Sequence, residues 1–456
     1  MQSLSEAWQK EREVFENYKK TNPELFTAAS LSEKEILSQI GIDIFLLQRP
    51  QGYVRLYLQD FIVEEILENG EISEVEPREN TIPPLFPPFT LYANLIKIGI
   101  STSEALNSIA EILKITSNKI GYAGLKDIKA LTSQTVAFSN IDLETFEKIK
   151  KISSPKFFLT DFSFGKGSLG PGELFGNRFT VLVRTKEKIA PINLSKSLER
   201  LNKNGFLNFY QIQRFGTPRY LSHFFGRLIL EGKYKEAVLA FLTSPGLKEI
   251  PLIKKKRGEA KGFFGEWGKM EKIFEEFSYT FRNELKLLSY LEENPKNFIG
   301  ALKFLKEQTT LWIYAYTSYL FNLLISSEKS ELPEEIPLCL SEDPDDRKIY
   351  EFWFQKDGTG DFLRTLQPFR FIKFKRRFIK TKIFPQKISF KTLPKGVALS
   401  FILEKGVYAT TFLMNLFDFK ESLPLPEWVD TQEYDIKNIL GIGSIEKIKE
   451  ILKINS

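Results

Sequence analysis

The chain has 456 residues, 42% of them hydrophobic and 27% charged, with a formal net charge of +6. That is the make-up of an ordinary globular protein with material for two or three domains and a mild bias toward polyanionic partners. A single cysteine, Cys339, a single histidine, His223, and no apolar run near the roughly 20 residues of a membrane span exclude several classes: an internal disulfide, an iron–sulfur cluster, a multi-histidine metal site, a histidine-based triad and a spanning helix.

Residues 1–48 read as a charged helical extension. Their first stretch, MQSLSEAWQKEREVFENYKK, lacks the apolar core of a signal peptide, and the setting expected is a reducing cytoplasm. From residue 52 the chain alternates, with Tyr53, Arg55, Tyr57 and Gln59 against Val54, Leu56 and Leu58. This pattern predicts a strand running on into Asp60-Phe61-Ile62-Val63-Glu64-Glu65-Ile66. A polar, proline-rich connector follows at 69–88. Ser101-x-x-Glu104 is a capping box opening a helix with Leu106, Ile109, Ala110 and Leu113 on one face. Short strands are predicted near 119–123 and 134–138, a further one over 179–184, and a helix over 195–204.

After Phe215-Gly216 the pattern is mostly helical to about 360, as in 311–325, with an acidic stretch at 342–346. Strand signals return at 369–403. The order predicts an α+β protein: a mixed, largely antiparallel sheet domain interrupted by a helical insertion. The expected segments are 49–216 and 361–425 for the sheet domain, 217–360 for the insertion and 426–456 for a helical tail. Within that tail, Leu440-Gly441-Ile442-Gly443 lies between two helical runs. It reads either as a helix-hairpin-helix with its glycine turn facing a phosphate, or as a plain helical hairpin packed on the body.

Two basic runs stand out: Lys254-Lys255-Lys256-Arg257, and the group Arg370, Lys373, Lys375, Arg376, Arg377, Lys380 and Lys382 interleaved with Phe369, Phe371, Phe374 and Phe378. The second is either a strand pair with solvated charges outside and phenylalanines inside, or a set of phosphate contacts beside aromatic platforms. Gly165, Gly167 and Gly170 spell G-x-G-x-x-G, but Pro171 and Gly172 follow where a dinucleotide-binding helix would start, so the stretch reads as a loop.

The stretch most suggestive of chemistry is Gly121-Tyr122-Ala123-Gly124-Leu125-Lys126-Asp127, followed by Ala130, Thr132 and Gln134. It sets one carboxylate on a glycine-loosened turn between two strands, beside a lysine. An aspartate so placed suits a nucleophile or a base, and equally a solvated turn. Four other segments accompany it in order: the 60–66 strand, Gly176-Asn177-Arg178-Phe179, Gln213-Arg214-Phe215-Gly216, and Gly406-Val407-Tyr408-Ala409-Thr410-Thr411. Together they resemble the TruD family of tRNA pseudouridine synthases, over roughly residues 50 to 420. Tyr316-Thr317-Ser318-Tyr319-Leu320-Phe321-Asn322 is similar to a segment of that family's inserted domain.

The resemblance implies a pseudouridine-synthase-like fold and a specific reaction on tRNA. One uridine, by family precedent uridine 13, would be flipped out and its uracil detached at N1, turned and rejoined through C5. It implies no cofactor and no metal, and a monomer is expected. Asp127 would be the catalytic carboxylate, acting covalently or as a base toward the ribose. Arg55 stands where the family typically has lysine and would pair with it. Asn177 and Phe61 would support the loop. Phe179 and Tyr408 would meet the uracil, and Lys126, Gln213 and Arg214 would contact RNA. Two departures are visible: Gln211 where the family usually has glycine, and Phe412-Leu413-Met414-Asn415-Leu416 without its common arginine.

Two other readings remain at this level. One is a tRNA-binding or tRNA-folding factor that keeps the fold without activity. The other is a carboxylate glycosidase, which needs a second acid facing Asp127. Glu64 and Glu65 are the nearby acids, and on an alternating strand only one of them faces the site.

Overall fold

The computed structural model describes residues 4–27, 31–44, 48–78, 90–327, 332–374, 376–420 and 425–454. The second half of the connector predicted at 69–88, and Lys375 of the second basic run, lie outside these residues. The chain forms two compact units. One is drawn from Leu46–Phe206, Ile383–Glu421 and Glu427–Ser456, the other from Met1–Phe45, Leu207–Lys382 and Ser422–Pro426.

The first unit is built on a ten-stranded sheet. Its strands are β1 (Gln51–Val54), β2 (Phe61–Ile66), β3 (Thr90–Ile98), β4 (Ile120–Tyr122), β5 (Leu131–Phe138), β6 (Phe157–Gly165), β7 (Gly176–Thr185), β8 (Gln386–Leu393), β9 (Gly396–Glu404) and β10 (Asp418–Phe419). Their spatial order is β8-β9-β7-β2-β5-β3-β6, with β1 beside β7 and β10, and β4 beside β5. At the centre β2 and β5 run parallel, Ile62 opposite Leu131 and Val63 opposite Thr132. Most other pairs are antiparallel, among them β2 with β7, where Val63 meets Phe179 and Glu65 meets Asn177.

Alternation divides each strand between two faces. Phe61 and Val63 join Phe179, Val181, Leu399 and Phe401 in one apolar cluster. Further along the sheet, Leu91, Ala93, Leu95 and Val136 pack under the helix Thr102–Leu113, opened by the predicted Ser101/Glu104 capping box. Ile62, Ile96, Leu131 and Leu182 point the other way, onto Ile436, Ile445, Ile448 and Leu452 of the tail.

The tail is a plain helical hairpin, Ile436–Leu440 and Glu446–Ile451. Glu76 accepts the Ser444 amide at 2.9 Å, and Asp435 accepts the Ile445 amide at 3.0 Å. Carboxylates of the protein therefore hold the turn amides that a phosphate would need. The tail also inserts the Lys437 ammonium 2.7 Å from the fully buried Glu64, which Arg178 meets from the other side at 2.7 Å. Burial pushes the Glu64 carboxyl up, but Lys437 and Arg178 outweigh it and hold the group below the ordinary range.

The second unit is helical, organised on the 22-residue helix Lys306–Ser327. The helix Ser222–Leu230 crosses it at Gly226, where any side chain would collide with the Trp312 carbonyl. Asn322, fully buried, accepts the Tyr210 amide at 2.9 Å and donates to the Ile40 carbonyl at 2.8 Å. The predicted extension is part of this unit: Phe15 packs on Phe277 at 5.0 Å, and Glu11 accepts the amides of Tyr279 and Thr280. His223 lies in its interior, stacked on Tyr319 at 4.6 Å, and burial pulls the imidazole down to about 3.

Within each basic run the cations have different surroundings. Arg257 is buried between Glu249 and Glu284 at 2.9 Å each, inside the helix Pro251–Lys261. Arg376 is clamped to Asp346 at 2.8 and 2.9 Å. Arg370, Lys373, Arg377 and Phe378 are exposed. The strand predicted from 369 begins only at Phe378, because Leu366, Phe369 and Ile372 are spaced by three and close turns rather than an extended ladder.

Candidate active site

Two loops approach the central parallel strands from the same end. Residues 55–60 lead into β2 and residues 123–130 lead into β5, so parallel pairing delivers them side by side. There the Arg55 Nη2 lies 3.5 Å from Asp127 Oδ1, with the side chains 20% and 39% exposed. The carboxylate is open to solvent while its cation is largely covered. The Arg55 guanidinium also sits 4.0 Å from the centre of the Phe61 ring, a cation–π contact that fixes its plane.

The strand predicted to run unbroken through 52–66 is interrupted here. Arg55 has φ of +60°, in the left-handed region. Asp60 accepts the Tyr57 amide at 3.0 Å and pairs with the buried Arg184, also at 3.0 Å. Those contacts draw Leu58–Asp60 into a turn and take Arg55 out of the ladder.

The backbone that carries Asp127 is held at nearly every residue. Gln134 Nε2 donates to the Gly124 carbonyl at 2.9 Å. Thr102 Oγ1 accepts the Lys126 amide at 3.1 Å and donates to Gln134 Oε1 at 2.9 Å. Lys97 Nζ donates to the carbonyls of Asp127 and Ile100 at 2.9 Å, and to that of Lys126 at 3.4 Å. Ahead of it, Gly172 donates to the Ala123 carbonyl at 2.7 Å, and a Cβ on Gly121 would stand 2.5 Å from the Leu169 carbonyl oxygen. The Lys126 ammonium turns inward to Glu65 at 2.5 Å, and Glu65 accepts the Thr135 amide at 3.1 Å.

Charge is buried on both sides of this turn. Burial pushes the Glu65 carboxyl above its ordinary range, with Lys126 opposing. Burial likewise pulls the Lys97 ammonium down to about 8, with Asp127 opposing. Such an arrangement presents one reachable carboxylate, paired with a guanidinium, on a loop that cannot rearrange cheaply. Preorganisation of that kind suits a group that must meet a reacting atom.

The family model described as tRNA pseudouridine synthase D (TruD) matches residues 39–337, well over half of the chain. The chain belongs to the TruD family. It is 30% identical to the probable tRNA pseudouridine synthase D 1 of Methanocaldococcus jannaschii over 396 residues, 81% of this chain and 96% of that one. It is 29% identical to the probable tRNA pseudouridine synthase D of Methanosarcina barkeri over 298 residues, 64% of each chain. The crystal structure of the putative TruD of Methanosarcina mazei superposes with a TM-score of 0.60, at 22% identity, over 84% of this chain and 98% of that one. That likeness shows the shared α+β fold.

Within this TruD chain the predicted residues are not all brought together. Arg55, Phe61 and Asp127 are together, as described. Phe179 and Asn177 lie across β2 from Val63 and Glu65, on the same sheet face as Phe61. Phe179 is only 5% exposed, edge-on to Phe61 at 6.1 Å and stacked with Phe401 at 5.6 Å. The Asn177 Oδ1 is buried without a hydrogen-bond partner among the described residues. Tyr408 is half-buried, at the start of the short helix Ala409–Leu413. Gln213 and Arg214 belong to the helical unit. Gln213 is exposed, and Arg214 Nε donates to Ser318 Oγ at 3.0 Å. Lys126, expected at a phosphate, is an interior cation. Of the two strand acids, Glu65 shares the face of Phe61 while Glu64 faces the tail.

Sequence reasoning missed Lys97, Thr102 and the job of Gln134. A signal for Lys97 was present: it continues the inward phase of Leu91, Ala93 and Leu95, where a charge is out of place unless it has partners.

Proposed function

We propose that this TruD-family chain isomerises one uridine of a tRNA to pseudouridine, with Asp127 as the carboxylate that meets the ribose. The observation that carries the reading is the Arg55–Asp127 pair at 3.5 Å, its carboxylate reachable on a loop fixed from four directions. The reaction breaks the C1′–N1 bond, turns the uracil and forms a C1′–C5 bond. The proton lost from C5 is balanced by one gained at N1, so the product is an isomer. A carboxylate suits it, being ionised at neutral pH and a competent leaving group.

C1′ is out of reach while a nucleotide is stacked, so the uridine is extruded. Tyr408 receives the uracil, and Phe179, packed between Phe61 and Phe401, backs that site from the core. The unpartnered Asn177 oxygen accepts from the uracil or from the loop, and Arg55 orients the carboxylate. Lys126 acts through Glu65 on loop position. Gln213 and Arg214 contact the RNA body, the helical unit is the family's inserted domain, and the target is uridine 13.

The test is incubation of recombinant protein with an unmodified tRNA transcript, followed by pseudouridine mapping at single-nucleotide resolution. One modified position, at uridine 13, is expected. tRNA bound tightly without product would favour the inactive binding factor, and product at another position would overturn the assignment of the target.

A further inference from the structure

We propose that Lys97 is a positioning residue for the reaction: its ammonium fixes the backbone of Asp127 and keeps a second positive charge beside the Arg55–Asp127 pair. The inference rests on the reading of Asp127 given above.

Lys97 is fully buried on β3, opposite Thr132 of β5. Its three acceptors are all backbone carbonyls, two of them belonging to Lys126 and Asp127. No carboxylate lies within ion-pair distance of it among the described residues, whereas the buried cations Lys126 and Lys437 each have a glutamate. Burying an ammonium on neutral partners is costly relative to an apolar side chain in the same strand. A group retained at such a cost, with its hydrogen bonds spent on the residue that carries the reactive carboxylate, is placed for that carboxylate.

The charged groups facing it are few. From the loop come Asp127 and Lys126, the latter neutralised by Glu65 of β2. From the helix Thr102–Leu113 comes Glu104, itself near Lys156. Arg55 acts through Asp127. Burial pulls Lys97 down to about 8, with Lys126 adding to the effect and Asp127 and Glu104 opposing it. Loss of the proton therefore removes both the charge and one of three N–H donors at a mildly alkaline pH.

The experiment measures kcat and KM separately on an unmodified tRNA transcript, from about pH 6 to about pH 9, for the full-length protein and for Lys97→Gln. Wild-type kcat is expected to fall above pH of about 8 with KM unchanged. Lys97→Gln is expected to show kcat at least about tenfold lower at neutral pH, the same KM and no alkaline limb. A wild-type kcat that stays flat, or a variant that keeps both rate and limb, overturns the proposal. Amide exchange at 126–128 reads the loop independently of turnover. Protection lost in Lys97→Gln supports the role, and unchanged protection contradicts it. A wild-type protein that makes no pseudouridine at all would sink the reading of Asp127, a result these exchange data distinguish from failure at Lys97.

Discussion

Lys126 and Asp127 are adjacent in sequence and opposite in surroundings. The Lys126 ammonium lies in the interior, 2.5 Å from Glu65, while the Asp127 carboxylate is 39% exposed and 3.5 Å from Arg55. The turn thus separates a buried charge from an accessible one. Replacing Lys126 with Met leaves Glu65 buried and uncompensated, and stability is expected to fall by about 3–5 kcal/mol. Lys126→Met combined with Glu65→Gln should recover part of that loss in urea unfolding. The salt dependence of tRNA binding should not change in the folded double variant. A reduced salt slope would mean that Lys126 does reach a phosphate.

Arg55 makes two contacts that a shorter, unforked cation cannot reproduce together, one to Asp127 and one over Phe61. Arg55→Ala is expected to lower kcat by about 100-fold, the scale of losing one preorganised charge partner. Arg55→Lys, the residue typical of the family at this position, should recover a large part of the rate. Steady-state kinetics of both variants, with tRNA affinity measured alongside, checks this. Full activity in Arg55→Ala would remove Arg55 from the site.

Glu64 couples the sheet to the tail, and its sign with pH follows from its depressed folded pKa. The unfolded chain binds the extra proton, so the Glu64 contribution is present above the ordinary carboxylate range and is lost as pH falls through the folded value. Urea midpoints measured from neutral pH into the acid range should fall more steeply for wild type than for a Glu64→Gln, Lys437→Met variant. Glu65 shifts the opposite way but is common to both proteins, so the difference isolates Glu64. Equal slopes would contradict the assignment.

In the second basic run the cations are not equivalent. Arg376, itself exposed, is paired with Asp346 and Asp343, while Arg370, Lys373 and Arg377 are exposed without an ion pair among the described residues. Replacing those three with Ala is expected to weaken tRNA binding and to reduce the slope of log affinity against log salt by about 2–3. Arg376→Ala should act mainly on the melting temperature. Binding titrations at several salt concentrations decide it, and an unchanged slope in the triple variant would move the RNA path elsewhere.

The strand alternations and the Ser101/Glu104 box were legible because period and capping are local properties. So was the turn at Asp127, through its colinear motifs. The break at Arg55 was not, since it depends on Asp60 meeting Arg184, 124 residues away. The same limit hid the grip of Lys97, Thr102 and Gln134 on the loop, which exists only once β3 and β5 are side by side. The tail was open between two readings because nothing within it announces that Glu76, from a distant segment, occupies the turn amide of Ser444. The pairing of Arg257 and Arg376 was not legible because sequence does not reveal which carboxylates fold back onto them.

On the proposed reading, the exposed carboxylate at 127 does the chemistry. The most direct measurement of that role pairs pseudouridine mapping with tRNA affinity for Asp127→Asn, which keeps the shape of the side chain and removes its charge. Product should vanish while affinity stays within about a few-fold of wild type. Retained turnover in that variant would contradict the account.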